Sequence, residues 1–309
     1  MLQSVSLDQL RMFVAAADEG SFSAAARRVQ RTQSAVSEAI VSLEAQLGVV
    51  LFDRAGRYPK LTNEGVILLA DARVVIAGVD AMKARAKGIA GGLEAELAAV
   101  LDVFLPISLV AEAAHEFRVQ FPATPLRLYV EALGGAVQPV LDGRASFGVV
   151  GSLPTLPKGL IKERVFDVKL MMVAAADHPL ASYRGTIPKE ELARHAQLVL
   201  TDRSKLSEGR SIGVMSSSTW HLGDLFAKHA FLISGLGFGG MPVHTVAKDI
   251  AEGRLVELLI EEAPPGGLPL PMFAIYREGE PPGPAGRWMI ERLKDSSASV
   301  AAREALRTR

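Results

Sequence analysis

The sequence predicts a multidomain chain: all-α at the N-terminus, α/β over roughly the last two-thirds, with one long helix between. Three observations carry this. Three short helical periods, each opened by a capping residue, fill the stretch from Ser6 to Gly48. A helical period of small apolar residues then runs on from Thr62 for roughly thirty residues. From Leu93 onward, strand and helix patterns alternate. The 309 residues suffice for two or three domains.

Composition narrows the function classes. With 49% hydrophobic and 22% charged residues the chain reads as globular, not disordered. It has no cysteine, which excludes disulfides, thiolate zinc sites, iron–sulfur clusters, cysteine catalysis and thiol redox sensing. The 34 basic and 34 acidic residues balance, which speaks against a whole surface built to attract nucleic acid. The N-terminus lacks a basic region followed by an apolar core, so no secretory signal is expected. The longest uncharged run, His229 to Ala247, carries four glycines and Pro242, which marks strand and turn instead of a membrane span. The expectation is a cytoplasmic protein without membrane contact.

The first helix opens on the capping box Ser6-Leu-Asp-Gln9, with Val5 and Leu10 as its hydrophobic staple, and stops at Gly20. Ser21 caps a second, alanine-rich helix, and Thr32 a third that runs to about Leu47 and closes at Gly48. This tight packing predicts a helix-turn-helix. On the third helix Val36, Ile40, Leu43 and Leu47 form a core-facing stripe, with Ser34, Ser37, Glu38 and Val41 opposite and Gln33 at the very start. Apolar behind and short polar side chains at the exposed N-terminal end is the pattern of a recognition helix. An ordinary solvated face has the same periodicity. Gln33 suits an adenine edge, and the serines suit base or phosphate contacts. Next, Leu51–Arg54 and Lys60–Thr62 flank a turn holding Arg57 and Pro59, a two-stranded wing placed to bring Arg54 and Arg57 to phosphates. Residues 27 to 60 hold six basic against three acidic side chains.

These residues carry a resemblance. The stretches Leu10-x-x-Phe13, Gly20-Ser21-Phe22-Ser23-Ala24-Ala25-Ala26, Thr32-Gln33-Ser34-Ala35-Val36-Ser37, Ile40-x-x-Leu43-Glu44, Leu47-Gly48-x-x-Leu51-Phe52-x-Arg54 and Leu61-Thr62-x-x-Gly65 resemble the winged helix-turn-helix of LysR-type transcriptional regulators. The resemblance implies DNA contacts from Ser23, Arg31, Thr32, Gln33, Ser34, Ser37, Glu38, Arg54 and Arg57. Glu38 departs from the longer or basic side chain common there; its carboxylate either accepts from a cytosine N4 or, the favoured reading, points away from DNA.

Thr62 caps the long helix, which carries Val66, Leu69, Ala70, Val74, Ala77, Ala81 and Ala84. At ~30 residues it spans roughly 45 Å. As in the resembled family's linker helix, pairing with a second copy is expected. Gly88, Gly91 and Gly92 mark a hinge.

Beyond it the expected elements are strand Ala98–Phe104, helix Ile107–Phe121, strand Leu126–Glu131, helix Ala136–Gly143 and strand Phe147–Gly151. After Lys162–Asp167 come strand Leu170–Ala174, helix Lys189–His195, strand Leu198–Thr201, helix Leu222–Ser234 and strand Leu236–Met241. The Pro/Gly-rich stretch Ala263–Pro271 returns the chain to strand Met272–Tyr276 and helix Ala285–Lys294. Such alternation predicts a mostly parallel sheet in two α/β lobes joined by two crossings, a periplasmic-binding-protein-like architecture that the resembled family's effector domain shares. Phe121-Pro122, Asp177-His178-Pro179-Leu180, Gly235-Leu236-Gly237 with Met241-Pro242, and Gly253-Arg254-Leu255-Val256 match that domain's marks.

The expected boundaries are 1–62 for the DNA-binding domain and 63–92 for the linker helix and hinge. The effector-binding domain spans 93–300, with lobe I at about 93–164 and 268–300 and lobe II at about 165–267, and a tail covers 301–309. The cleft lies at the carboxyl ends of the strands, lined by Asp102–Ser108, Glu131–Gly135, Gly151–Ser152, Thr201–Ser204 and Ser216–His221. Candidate effector contacts are Pro106, Ser108, Gly134, Ser152, Thr201, Asp202, Arg203 and Trp220, with Arg203 the charge partner of an anionic effector. Each has a plain structural reading as cap, turn or core.

Other motifs fail on context. Gly235-x-Gly237-x-x-Gly240 follows a helix and enters a strand, the reverse of a dinucleotide-binding turn. His115-Glu116 lacks a second histidine at position 119, which is Val. Ser216-Ser217-Ser218 with His221 is a serine-rich loop. No catalysis, metal or cofactor is expected. The resemblance implies a regulator that reads an interrupted palindrome in double-stranded DNA as a homodimer or homotetramer, tuned by a small-molecule effector, with RNA polymerase a further candidate partner. The rival reading is a small-molecule-binding protein or enzyme whose helical N-terminus serves only dimerisation.

Overall fold

The computed structural model describes residues 5–56, 58–209 and 212–307, with side chains at 81, 84, 85, 87 and 296–307 excepted. The chain divides into two compact units, Met1–Gly88 and Ile89–Arg309. Among the described residues no helix is long and apolar enough to cross a membrane.

In the first unit α1 (Leu7–Glu19) opens on the reciprocal Ser6–Gln9 box and closes at Gly20, whose φ of 61° is the left-handed cap. Ser21 and Thr32 accept amide hydrogen bonds at the starts of α2 (Phe22–Arg28) and α3 (Gln33–Leu47). Between these helices Gln30 carries φ 55°, the left-handed residue of the turn. Val36, Ile40 and Leu43 of α3 are fully buried with Phe13 and Phe52, and the Phe52 ring meets Phe13 and Phe22 edge-on at 5.8 and 5.4 Å. Leu47 departs from the expected stripe: it is the last residue of α3, 39% exposed, and Leu51 and Phe52 fill the core past the Gly48 turn.

The wing is short, β1 (Phe52–Asp53) against β2 (Lys60–Leu61), antiparallel. Arg57, expected at its tip, lies outside the described residues. The Thr62 hydroxyl donates to the carbonyl of Val50 at 2.7 Å and accepts from the amide of Gly65 at 2.9 Å, which starts α4 (Asn63–Ala90). A Cβ at Gly65 would stand 2.2 Å from the carbonyl oxygen of Leu51, so only glycine lets helix and wing approach here. Leu69 and Ala72 of α4 join the core, and Arg73–Asp18 and Arg11–Asp80 ion pairs fasten it to α1.

The second unit holds a nine-stranded sheet. Its elements are β3 (Leu97–Asp102), α5 (Ile107–Gln120), β4 (Leu126–Glu131), α6 (Gln138–Leu141), β5 (Phe147–Val150), β6 (Leu160–Ala175), α7 (Lys189–Leu192) and β7 (Gln197–Leu200). They continue with β8 (Thr219–Leu222), α8 (Leu225–Ile233), β9 (Phe238–Pro242), α9 (Val243–Ala251), β10 (Leu255–Glu257), β11 (Leu268–Arg277) and α10 (Pro284–Arg307). The strand order is β4-β3-β5-β11-β6-β9-β7-β8, with β10 also on β6.

Several elements differ from expectation. The sheet is mixed, not mostly parallel: β3–β4, β3–β5, β7–β8 and β7–β9 run parallel, while β11–β5, β11–β6, β6–β9 and β10–β6 run antiparallel. Lys162–Asp167 and Ala263–Pro271 are not both connectors; 162–167 and 268–271 are parts of the long strands β6 and β11. These pair from Leu268↔Leu170 to Arg277↔Leu160, so the two crossings between lobes are one antiparallel ribbon. Mostly exposed charged residues disguise the first, and Pro269 and Pro271 the second; proline fits a strand where no ladder donor is needed. Strands β8 and β10 and helix α9 carry no expectation of their own. The expected helix Leu222–Ser234 starts at Leu225, because Asp224 caps it. The expected helix Ala136–Gly143 is split into a 3-10 turn at Leu133–Ala136 and α6. The last helix runs through to Arg307.

Candidate nucleic-acid interface and effector cleft

In the helix-turn-helix unit the N-terminal end of α3 carries Gln33, Ser34 and Glu38 exposed, with Ser37 half-buried behind them. Thr32 accepts from the amide of Ala35 at 3.2 Å and lies 3.0 Å from the Ser34 hydroxyl, so it positions the end of the helix. Ser23 accepts from Arg27 at 3.2 Å. Arg31 is exposed and in no ion pair among the described residues.

Arg54 differs in kind. It donates to Glu44 at 3.0 Å and lies over the Phe22 ring at 5.4 Å. Glu44 also accepts from the amides of Leu51 and Phe52 at 2.8 and 3.2 Å. The pair therefore joins α3 to the wing, and Arg54 holds that shape with part of its donor fork.

In the second unit a cavity of about 290 Å³ lies between the two ends of the sheet. Phe104, Leu133, Gly151 and Ser152 line it from one side, and Met171, Met172, Leu198, Leu200, Lys228 and Gly240 from the other. Its wall is largely apolar, as ligand pockets are. A second cavity, of about 460 Å³, lies beside Leu153–Leu160 and β11, and there Lys162 sits over the Phe273 ring at 5.2 Å.

Buried polar bonds shape the first cavity. Asp102, 1% exposed at the end of β3, accepts from the amides of Phe104, Gly151 and Ser152 and from the Ser152 hydroxyl, the last at 2.5 Å. Burial pushes its carboxyl above the ordinary value, against the pull of these four donors. Ser152 in turn accepts from the amide of Leu133 at 2.9 Å. Leu133 has φ 49°, a strained conformation for leucine, placed on the cavity wall. Opposite, buried Gln197 donates to the carbonyl of Gly213 at 2.7 Å and accepts from the amides of Met215 and Ser216 at 2.6 and 3.1 Å, which fixes the loop that closes that side.

Of the eight effector residues expected from the sequence, Ser152 alone lines this cavity. Asp202 accepts from the amide of Gly135 at 2.6 Å and from Ser204, and binds Ser207, so it ties two loops together. Gly134 packs under that loop: a Cβ there would lie 2.5 Å from the Ser204 hydroxyl. Thr201 donates its amide to Leu222, which belongs to the β7–β8 edge. Arg203 is exposed. Trp220, 46% exposed on β8, meets Phe231 edge-on. Pro106 is the residue before α5, not within its first turn, and Ser108 is exposed in that turn, where no side chain caps the helix. Lys228, which no motif singles out, lines the cavity while only 4% exposed. Its signal in the sequence is its spacing: it shares the buried face of α8 with Leu225 and Leu232.

Residues 92–298 match the family model described as the LysR substrate binding domain. Residues 7–66 match that of the bacterial regulatory helix-turn-helix protein, lysR family. The chain is similar to the probable HTH-type transcriptional regulator YhaJ of Escherichia coli, 29% identical over 82% of this chain and 85% of the relative. It is 28% identical to the HTH-type transcriptional regulator PunR of E. coli over 93% and 92%. A solved structure of a cysteine mutant of OxyR from Corynebacterium glutamicum shares the fold with a TM-score of 0.58 at 21% identity, covering 97% of both chains. The regulatory domain of MetR from N. meningitidis aligns with a TM-score of 0.52 at 18% identity, over 66% of this chain and 94% of that one.

Proposed function

Because the chain belongs to the LysR family of transcriptional regulators, we propose that α3 reads an interrupted palindrome in double-stranded DNA and that the cavity between the lobes takes the small molecule that controls this reading. One observation carries the first half: the exposed polar end of α3 stands on a fully buried stripe of Val36, Ile40 and Leu43. Gln33 is placed to pair with a base edge, with Ser34 and Ser37 beside it. Ser23, Arg31 and Arg57 supply phosphate contacts, while Thr32 and Arg54 chiefly hold the helix and wing in position.

The long helix supports assembly. Val66, Ile67, Val74 and Met82 stand more than half exposed along α4, an apolar row suited to a second copy. A head with few basic groups gains phosphate affinity when copies are joined, so a homodimer or homotetramer fits the near-neutral charge. In this reading the linker helix and hinge span 63–92 and the effector domain 93–300, whose lobes exchange chain through the β6–β11 ribbon.

A gel shift on the gene's own upstream region tests the reading. Replacing Gln33 and Ser37 together by Ala removes the sequence-specific shift and leaves oligomeric state and ligand binding intact. Unchanged DNA binding by the double variant would instead assign the helical N-terminus to dimerisation alone.

A further inference from the structure

We propose that the effector cavity takes a monocarboxylic acid with an apolar body, its carboxylate seated on the ammonium of Lys228. The inference rests on the reading of this cavity as the effector cleft and adds the ligand's chemical class and anchor. Lys228 leaves α8 inward, its Cε running past Gly239, where an added Cβ would lie 3.1 Å away. Its Nζ donates to the carbonyl of Gly240 at 2.8 Å. That bond uses one of three donors of a group that is 96% removed from solvent.

Among the described residues Lys228 has no acidic partner. The strands packed against it line the cavity with Leu170, Met171, Met172, Leu198 and Gly240 and bring no charge. Glu262, the acid on the wall, is taken by Lys189 at 2.8 Å. On the neighbouring helix Asp249 is held by His229 and Arg254. Asp224, on the turn before α8, caps that helix through the amide of Ala227.

A buried ammonium without a counter-ion is costly, and burial alone pulls Lys228 down to about 8. Among the described residues the free chain therefore keeps an unmatched cation at one point of a largely apolar chamber, whose polar lining is Ser152, Gln197 and the paired Glu262. One cation matches one anionic group, which favours a monocarboxylate over a dicarboxylate or a phosphate ester. The apolar wall selects an aliphatic or aromatic body, and about 290 Å³ sets a small one.

The pH dependence has a definite sign. Below about 8 the lysine is charged and the carboxylate binds. Above that value the free chain loses the proton, and affinity falls by up to about tenfold per pH unit.

The test is calorimetry on the full chain with butanoate, hexanoate, octanoate and benzoate, each against its primary amide, at pH 7 and at pH 9. The expected result is that at least one acid binds, its amide binds at least tenfold more weakly, and the acid's affinity drops at pH 9. Lys228→Met loses the acid at least tenfold while its melting temperature at pH 7 holds or rises, since an unmatched buried charge is gone. Binding by none of the acids, an amide equal to its acid, or undiminished acid binding by Lys228→Met would each overturn the proposal. Should that variant fail to fold, the acid–amide pair and the pH profile of the unaltered chain still decide it. An acid that binds through Lys228 but leaves the DNA footprint unchanged would refute the effector reading and keep the site. An acid that shifts the footprint of Lys228→Met equally would keep the effector cleft and refute this anchor.

Discussion

The two units hold their polar side chains in opposite ways. At the end of α3, Gln33 and Ser34 are exposed, and beside them Arg31 enters no ion pair among the described residues; these groups keep hydrogen-bonding capacity for something outside the chain. Around the cavity, polar groups are spent inward: Asp102 on four donors, Ser152 between Asp102 and Leu133, Gln197 on a loop, Asp202 across two loops. A surface reader must leave its contacts open, because its partner supplies the geometry. A cavity must fix its own walls, because a small ligand cannot. In such a site the groups free to act are the few left unmatched, and among the described residues lining it Lys228 is the charged one.

The contrast breaks most visibly at Asp102. Replacing it by Ala leaves three amides, two of them buried, and the Ser152 hydroxyl without an acceptor, with an expected loss of about 3–5 kcal/mol. Urea unfolding of the full chain, followed at the transition of the larger unit, measures it. A loss below about 1 kcal/mol would mean that the bonds around the cavity do not set its shape.

Arg54 and Arg31 sharpen the contrast on a smaller scale. Arg54→Ala removes the bond to Glu44 and the contact with Phe22, and is expected to lower the stability of the helix-turn-helix unit by about 1 kcal/mol. Arg31→Ala leaves stability unchanged and lowers the salt slope of DNA binding by about one. Thermal melts and binding at several salt concentrations separate the two. If both arginines change only the salt slope, the Glu44 pair is incidental to the fold.

This difference also explains what was legible in the sequence. The caps Ser6, Ser21 and Thr32 and the stripe Val36, Ile40, Leu43 are local signals, each readable within four to seven residues, so the N-terminal helices stand where their patterns put them. The β6–β11 ribbon joins residues about a hundred positions apart, and Lys162-Glu163-Arg164 on one strand and Pro269 and Pro271 on the other read locally as connectors. In the cleft, segment ends were placed by strand order, but which side chain turns inward depends on tertiary packing. Arg203 has the right charge in an exposed turn, whereas Lys228 hides the same charge on a helix face shared with Leu225 and Leu232. A lysine on a buried stripe was the readable sign.

Zero net charge acquires a different meaning once position is known. A modestly basic head is diluted by a large neutral sensor, so affinity for DNA must come from assembly and base contacts instead of bulk charge.

Selection of duplexes from a random pool by the full chain, repeated with Gln33→Ala, tests that claim most directly. A two-fold related, interrupted sequence is expected for the unaltered chain. For Gln33→Ala the expected result is relaxed preference at one base pair in each half-site, worth about 1–3 kcal/mol. A pool that emerges unenriched, or an unchanged preference in the variant, would contradict it.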